Sequence, residues 1–314
     1  MPNSYQPDLS AFVWERPGTL VHLTHDVQIH VVERGTRKPG TPTVVLLHGK
    51  LGSVYDYLLT PVVDLLAVNW HVLVIDRPGC GYSTVPAGFR LSLGQQAHLL
   101  ACLFEHLNIH KPIIVGHSLG ASLALTLVVQ YPNLTSACVL LAPYAFPGSG
   151  PRHARIGNML KLPFIGEPLL EVARLGIRAA SDKMFPAVFA PGEMPESYPY
   201  YARAVVLQPA PFRADMTTIL SADTTLHAIA PRYHTVQQPV AIVVGDADQT
   251  ATVVKQALPL RNVLPDARLV VLPNVGHMVQ FAAPQVVVTA VQAVSVAQQP
   301  VDLAARARYM RHSA

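Results

Sequence analysis

The chain has 314 residues, 50% hydrophobic and 13% charged, with a formal net charge of +4 and a mean hydropathy of +0.30. Soluble domains carry about 25% charged residues, so this chain is apolar for its length, which excludes intrinsic disorder. The length suits one large α/β domain with an insertion and needs neither disulfide staples nor a structural metal.

Thr43–Leu47 is a continuous apolar run, as expected of a parallel strand covered on both faces. Val54–Leu66 follows with helical character, with Pro61 as a kink or break. His71–Ile75 reads as the next strand, and Ser92 reads as the N-cap of a helix over Ser92–Leu107. Pro112–Val115, Leu119–Tyr131 and Ala137–Leu141 continue the alternation as strand, helix and strand. Such an order means βαβ units and a doubly wound, mostly parallel sheet.

The rhythm stops near Pro143. Residues 144–234 hold eleven prolines and many aromatics, with short helical pieces expected at 153–161, 168–180 and 197–207 and no strand. Then Val240–Val244, a helix near 251–263, Arg268–Leu272 and a closing helix from Pro284 to about Gln298 resume the pattern. Pro284 suits a first helical position, where its missing N–H is not needed. The division is therefore a core of residues 1–143 and 235–314, interrupted after the fourth strong strand by an insert at 144–234.

Several partner classes are not expected. The one basic cluster, Arg306, Arg308, Arg311 and His312, is too short for a nucleic-acid arm. Cys80, Cys102 and Cys138 are sparse and lack C-x-x-C spacing, which argues against a disulfide framework and against zinc. Met1–Ser10 has neither the basic start nor the apolar core of a signal peptide. Apolar stretches are interrupted before about 18 residues, so no membrane span is expected and the default location is the cytoplasm.

Gly116-His117-Ser118-Leu119-Gly120 matches G-x-S-x-G between an expected strand and an expected helix, the context that this motif requires. A serine on that sharp turn stands at the carboxyl edge of the sheet, where ligands bind in open α/β folds. Its hydroxyl needs a base and an orienting carboxylate. His277 lies just past the last strand at the same edge and is the candidate base, with His48 as the alternative. Asp248 follows the strand at 240–244 and is the candidate acid; Asp246 reads as a turn residue bonded to its own backbone. Oxyanion donors are expected from the backbone N–H of Leu119 and from the turn after the first strong strand, with Lys50 best placed and Leu51 second.

Together these residues resemble the α/β-hydrolase superfamily, specifically its serine hydrolases with a helical cap, over about residues 40–300. His48-Gly49 with Gly52-Ser53 looks like the family's oxyanion turn, and Asp76 to Ser83 looks like its D-x-x-G-x-G-x-S turn. The resemblance implies Ser118 as nucleophile, Asp248 as acid, His277 as base, Lys50 and Leu119 as oxyanion amides, and no metal or cofactor. Ala121 replaces a second glycine common among relatives, and Lys50 stands where relatives carry an apolar residue. The Lys50 ammonium is read as pointing to solvent; facing the pocket instead, it would favour anionic acyl substrates. The insert would form the cap, its aromatics lining an apolar pocket or making the cap's own core.

The expected activity is hydrolysis of a carboxylic ester or related acyl bond in a small, apolar acyl substrate. Lactone, amide or carbon–carbon cleavage and acyl transfer use the same triad and stay open. So does a low-turnover accessory protein that binds hydrophobic molecules, because the fold also hosts receptors.

Overall fold

A computed structural model describes residues 16–86, 89, 91–148, 162 and 164–296. Eight strands form one sheet: β1 (Thr19–His22), β2 (Gln28–Arg34), β3 (Val44–Leu47), β4 (Val72–Ile75), β5 (Ile113–His117), β6 (Ala137–Leu141), β7 (Val240–Gly245) and β8 (Ala267–Leu272). Their order is β1-β2-β4-β3-β5-β6-β7-β8. From β4 to β8 every pairing is parallel, while β1 and β2 add an antiparallel edge. This is the doubly wound, mostly parallel sheet expected from the sequence. The antiparallel edge is an addition, because Gln28–Arg34 mixes polar and β-branched residues without a long apolar run.

The central strands β3 to β7 are buried along their whole length, as a sheet covered on both faces requires. Two apolar layers cover it. One packs Val44, Leu46, Val72 and Val115 against α1 (Tyr55–Leu58), α2 (Val62–Ala67) and the closing helix. The other packs Val45, Leu47, Leu73 and Ile114 against α3 (Leu93–His106) and α4 (Leu119–Gln130). Pro61 does break the expected helix, into α1 and α2. Ser92 caps α3 through a complete capping box: its Oγ accepts the Gln95 N–H at 3.3 Å, and Gln95 Oε1 accepts the Ser92 N–H at 2.9 Å.

Between β6 and β7 the described residues are helical: α5 (Gly166–Met184), α6 (Pro186–Phe189), α7 (Tyr198–Tyr201), a π turn at Ala202–Val206, α8 (Pro209–Ile229) and a 3-10 turn at Ala230–Thr235. The piece expected at 153–161 lies outside the described residues. The long α8 was not expected, since Pro209, Pro211 and four threonines weaken its helical signal. Its prolines sit in the first turn, and Thr217 and Thr218 turn their hydroxyls onto the Ala214 carbonyl at 2.9 and 2.8 Å. After β7 come a π turn at Val253–Ala257 and α9 (Leu258–Val263), and after β8 come α10 (Val279–Ala282) and α11 (Pro284–Val296).

Polar contacts fasten these helices to the sheet. Gln256 receives the N–H groups of Ala145 and Phe146, both at 2.8 Å, and Tyr233 donates to the Ala145 carbonyl at 2.7 Å. Asp56 on α1 accepts from the hydroxyls of Tyr198, at 3.3 Å, and Tyr201 on α7. All three groups are buried. Burial pushes the Asp56 carboxyl up to about 7, against the pull of the two tyrosine hydroxyls.

Ser92→Ala is expected to lower stability by about 1 kcal/mol, read as a shifted denaturant midpoint with unchanged slope. Asp56 holds its proton more tightly folded than unfolded, so its contribution to stability is lost as pH rises from 3.8 to about 7. Asp56→Asn is expected to flatten the decline of the thermal midpoint across that window. A decline of wild-type size in the variant would contradict this.

Candidate active site

β5 ends at His117 and α4 begins at Leu119, leaving Ser118 between them with φ +51° and ψ −113°. Such a backbone is strained for any residue with a side chain and persists only where the surroundings impose it. The flanking glycines show how. A Cβ on Gly116 would lie 2.7 Å from the Ala121 Cα, and one on Gly120 would run into the carbonyl oxygens of Leu47 and His48. Only hydrogens at both positions let α4 start this close to β3 and β5. The Ser118 N–H is held by the Leu141 carbonyl at 2.9 Å, and Ser118 is 7% exposed.

Asp248 and His277 occupy the loops after β7 and β8, and His277 Nδ1 donates to Asp248 Oδ2 at 2.7 Å. Asp248 Oδ1 accepts the N–H groups of Thr250 and Ala251 at 2.7 and 3.0 Å. Burial alone would raise this carboxyl; the hydrogen bond and charge of His277, with the two backbone donors, outweigh it and hold the group below its ordinary value. An ionised carboxylate accepts only, so the proton of a neutral His277 sits on Nδ1 and Nε2 keeps its lone pair.

His117 links this pair to Ser118. Its Nε2–H donates to the His277 carbonyl at 3.0 Å, and the two rings lie 4.8 Å apart between centroids. Burial first, and the neighbouring His277 second, bring His117 down to about 3, so it is neutral at working pH. Among the described residues no hydrogen bond joins Ser118 Oγ to His277; such bonds commonly tighten only when substrate binds.

The alternative histidine is committed elsewhere. His48 Nε2 accepts the Arg77 N–H at 3.0 Å, so Nδ1 carries the proton and donates to the Gly49 carbonyl at 2.9 Å. Burial and the Arg77 charge push His48 well below its ordinary value. Asp246 does not bond its own backbone: its Oδ1 accepts the Asn274 N–H at 2.7 Å, because the loops after β7 and β8 run side by side.

The turn after β3 lies against the Ser118 turn. A Cβ on Gly49 would stand 2.8 Å from His117 Nδ1 and 3.2 Å from Ser118 Cβ. Leu51, at φ +48°, gives its N–H to Asp215 Oδ2. Among the described residues no hydrogen bond takes the N–H of Lys50 or of Leu119. Lys50 is exposed. Sequence reasoning missed Asp215, which lies in no motif, and treated Arg77 only as part of a turn; the signal for Arg77 was a cation two residues past the end of an apolar strand.

The helices between β6 and β7 bear on the His277 loop. The His277 N–H donates to the Val188 carbonyl at 3.2 Å, and Gly276 has no room for a Cβ beneath the Ala190 carbonyl. Phe189 and Tyr198 pack edge-on with each other at 4.9 Å and meet Phe281 of α10 at 5.1 and 6.0 Å. Phe189 and Tyr198 are buried and Phe281 is half-buried, whereas Phe164 is 96% exposed. Among the described residues no group of three or more His, Cys, Asp or Glu is arranged to hold a metal ion, and no helix is long and apolar enough to cross a membrane.

Comparison with known proteins gives three likenesses. The chain is 31% identical over 113 residues to the uncharacterized hydrolase YugF of Bacillus subtilis strain 168, covering 36% of this chain and 41% of that one. The structure resembles a thermophilic esterase of Thermogutta terrifontis, with a TM-score of 0.66, 19% identity and coverage of 85% and 92%. It also resembles the 2-hydroxy-6-oxo-6-phenylhexa-2,4-dienoate hydrolase of Rhodococcus sp. strain RHA1, with a TM-score of 0.67, 22% identity and coverage of 86% and 95%. At these identities the two structures speak for the fold alone. A family model described as alpha/beta hydrolase fold matches residues 42–284, and with the sheet order and the turn at Ser118 this establishes that the chain belongs to the alpha/beta hydrolase family.

Proposed function

We propose that the protein is a serine hydrolase that cleaves a carboxylic ester or a related acyl bond, with Ser118, His277 and Asp248 as its triad. The reading is carried by the strained Ser118 turn beside a buried His277–Asp248 pair, in the chain order Ser, Asp, His. The two solved neighbours act on different substrates by name, so the fold alone does not choose between them.

In this mechanism His277 Nε2 takes the Ser118 proton as Oγ attacks the acyl carbon. The carbonyl π electrons move to oxygen, and the oxyanion rests on the N–H groups of Lys50 and Leu119. The C–O bond to the leaving group then breaks, and the imidazolium supplies the proton that the alcohol needs. Water, deprotonated by His277, attacks the acyl-enzyme, and collapse returns the proton to Ser118 and frees the acid. Asp248 keeps His277 in the tautomer this requires and stabilises its charged form. The helices between β6 and β7 act as a cap, covering the His277 loop and offering apolar surface to the acyl chain.

Hydrolysis of chromogenic esters from acetate to dodecanoate tests this. Wild type is expected to turn over with an optimum chain length, and Ser118→Ala to lose roughly 10⁴-fold or more in kcat. A folded wild type that neither hydrolyses these esters nor takes a fluorophosphonate on Ser118 would sink the reading. Asp248→Asn, which presents a donor or a weaker acceptor to His277 Nδ1, is expected to cost roughly 10⁴-fold in kcat at neutral pH. A loss below tenfold would remove Asp248 from the triad.

A further inference from the structure

Arg77 is fully buried, and its guanidinium reaches four acceptors. Nε donates to the His48 carbonyl at 3.1 Å, Nη2 to the Gly49 carbonyl at 3.0 Å, Nη1 to Gln96 Oε1 at 3.4 Å, and Nη2 also pairs with Asp215 Oδ1. Asp215 belongs to α8, in the segment between β6 and β7, and is itself buried. Its second oxygen takes the N–H of Leu51. A second tie runs beside this one, from Gln96 Nε2 to Thr218 Oγ1 at 2.7 Å, one turn further along α8.

These contacts flank a single peptide group. The Gly49 carbonyl and the Lys50 N–H belong to one plane and point in opposite directions. With Arg77 and His48 Nδ1 both donating to that carbonyl, the Lys50 N–H is turned the other way. A charged donor on the carbonyl also polarises the amide and strengthens its N–H as a donor. On the far side of Lys50, Asp215 holds Leu51 in its left-handed conformation. The Gly49 end of the turn is close enough to Ser118 that a single added carbon would touch its Cβ.

Stability alone does not account for this arrangement. A buried ion pair loses hydration on both partners, and well-packed hydrocarbon of similar volume commonly serves as well. A hydrocarbon cannot orient a carbonyl or polarise its amide.

We infer that Arg77 is a positioning residue for the oxyanion donor of Lys50, and that Asp215 of the capping segment holds Arg77 and the turn in that state. The inference rests on the serine-hydrolase reading above. The cap thereby shapes the transition-state site from behind as well as covering the substrate from above. Since the ground-state ester meets this donor weakly and the oxyanion meets it strongly, the effect belongs in kcat and not in KM.

The test compares wild type with Arg77→Met/Asp215→Leu, which removes both charges and refills the space, and with Asp215→Asn, which keeps the shape. Ser118→Ala is the control. For a neutral chromogenic ester, kcat is expected to fall about 30- to 300-fold in the double variant, with KM within about threefold. A trifluoromethyl ketone, which forms an oxyanion adduct on the serine, should lose affinity in proportion to kcat/KM. Asp215→Asn should show the same split at smaller amplitude and decides the matter where the double variant does not fold. Folded variants that keep kcat and ketone affinity within about threefold of wild type, or that change KM alone, overturn the inference while Ser118-dependent turnover still stands. Absence of Ser118-dependent turnover in wild type overturns both.

Discussion

A backbone approach underlies everything at the candidate site. The first turn of α4 sits against the carbonyl oxygens that end β3, and a hydrogen in place of a side chain at Gly120 is what makes room. Gly116 admits the same helix from the β5 side. With α4 held there, the chain passes from strand to helix in one residue, and Ser118 takes the positive φ that this demands. The Gly49 turn lies on one side of that residue. His117, wedged against His277, extends the contact to the loop after β8 on the other. Three loops from distant parts of the sequence are thus fixed by one crowded turn.

A chain with so few charges puts several of them inside. Asp56, Asp76, Arg77, Asp215 and Asp248 are all buried, and each is met by specific donors or acceptors. The contrast between two histidine–aspartate pairs is instructive. His30 Nδ1 lies 2.7 Å from Asp76 Oδ2, the same separation as between His277 and Asp248, and Ser83 is close by. Yet His30 gives its Nε2 to the Pro17 carbonyl, and Ser83 Oγ receives the His30 backbone N–H and donates to the Asp76 carbonyl. Both ring nitrogens of His30 and the Ser83 hydroxyl are engaged within the protein, so the cluster ties the antiparallel edge to the β4 turn. At His277 the second ring nitrogen has no such partner among the described residues. The chemistry of a Ser, His and Asp group depends on what is left over after the structural bonds are counted.

The parallel core was legible because its signals are local: apolar runs for buried strands, Ser92 with Gln95 for a capped helix, glycines two positions either side of Ser118. The pairing of Asp248 with His277 was also readable, since both stand just past strand ends at one sheet edge. What escaped depended on long-range contact. β1 and β2 gain their strand character from pairing at an edge, and α8 survives its prolines and threonines because it packs against α3 and α4. Asp215 carries no sequence signal, for its role exists only once α8 lies beside the β4 turn, 138 positions from Arg77. Asp56 is similar: an acidic residue early in a helix reads as a surface residue until two tyrosines from α7 close over it.

Two contacts between the helices that follow β6 and the His277 loop are made by main chain on both sides. His277 offers its N–H to a carbonyl at Val188, and Gly276 lies bare beneath the carbonyls of Phe189 and Ala190. The hydrogen bond is indifferent to the side chain at Val188, while the approach at Gly276 admits glycine alone. The half-buried side chain of Val188 and the exposed one of Ala190 can therefore be exchanged while the imidazole below keeps its place, whereas Phe189 between them is fixed by its packing on Tyr198 and Phe281. Moving the backbone of that short stretch is another matter, since the loop would follow. At this seam the place of the peptide groups is the constraint, and what can change is confined to the side chains beside them.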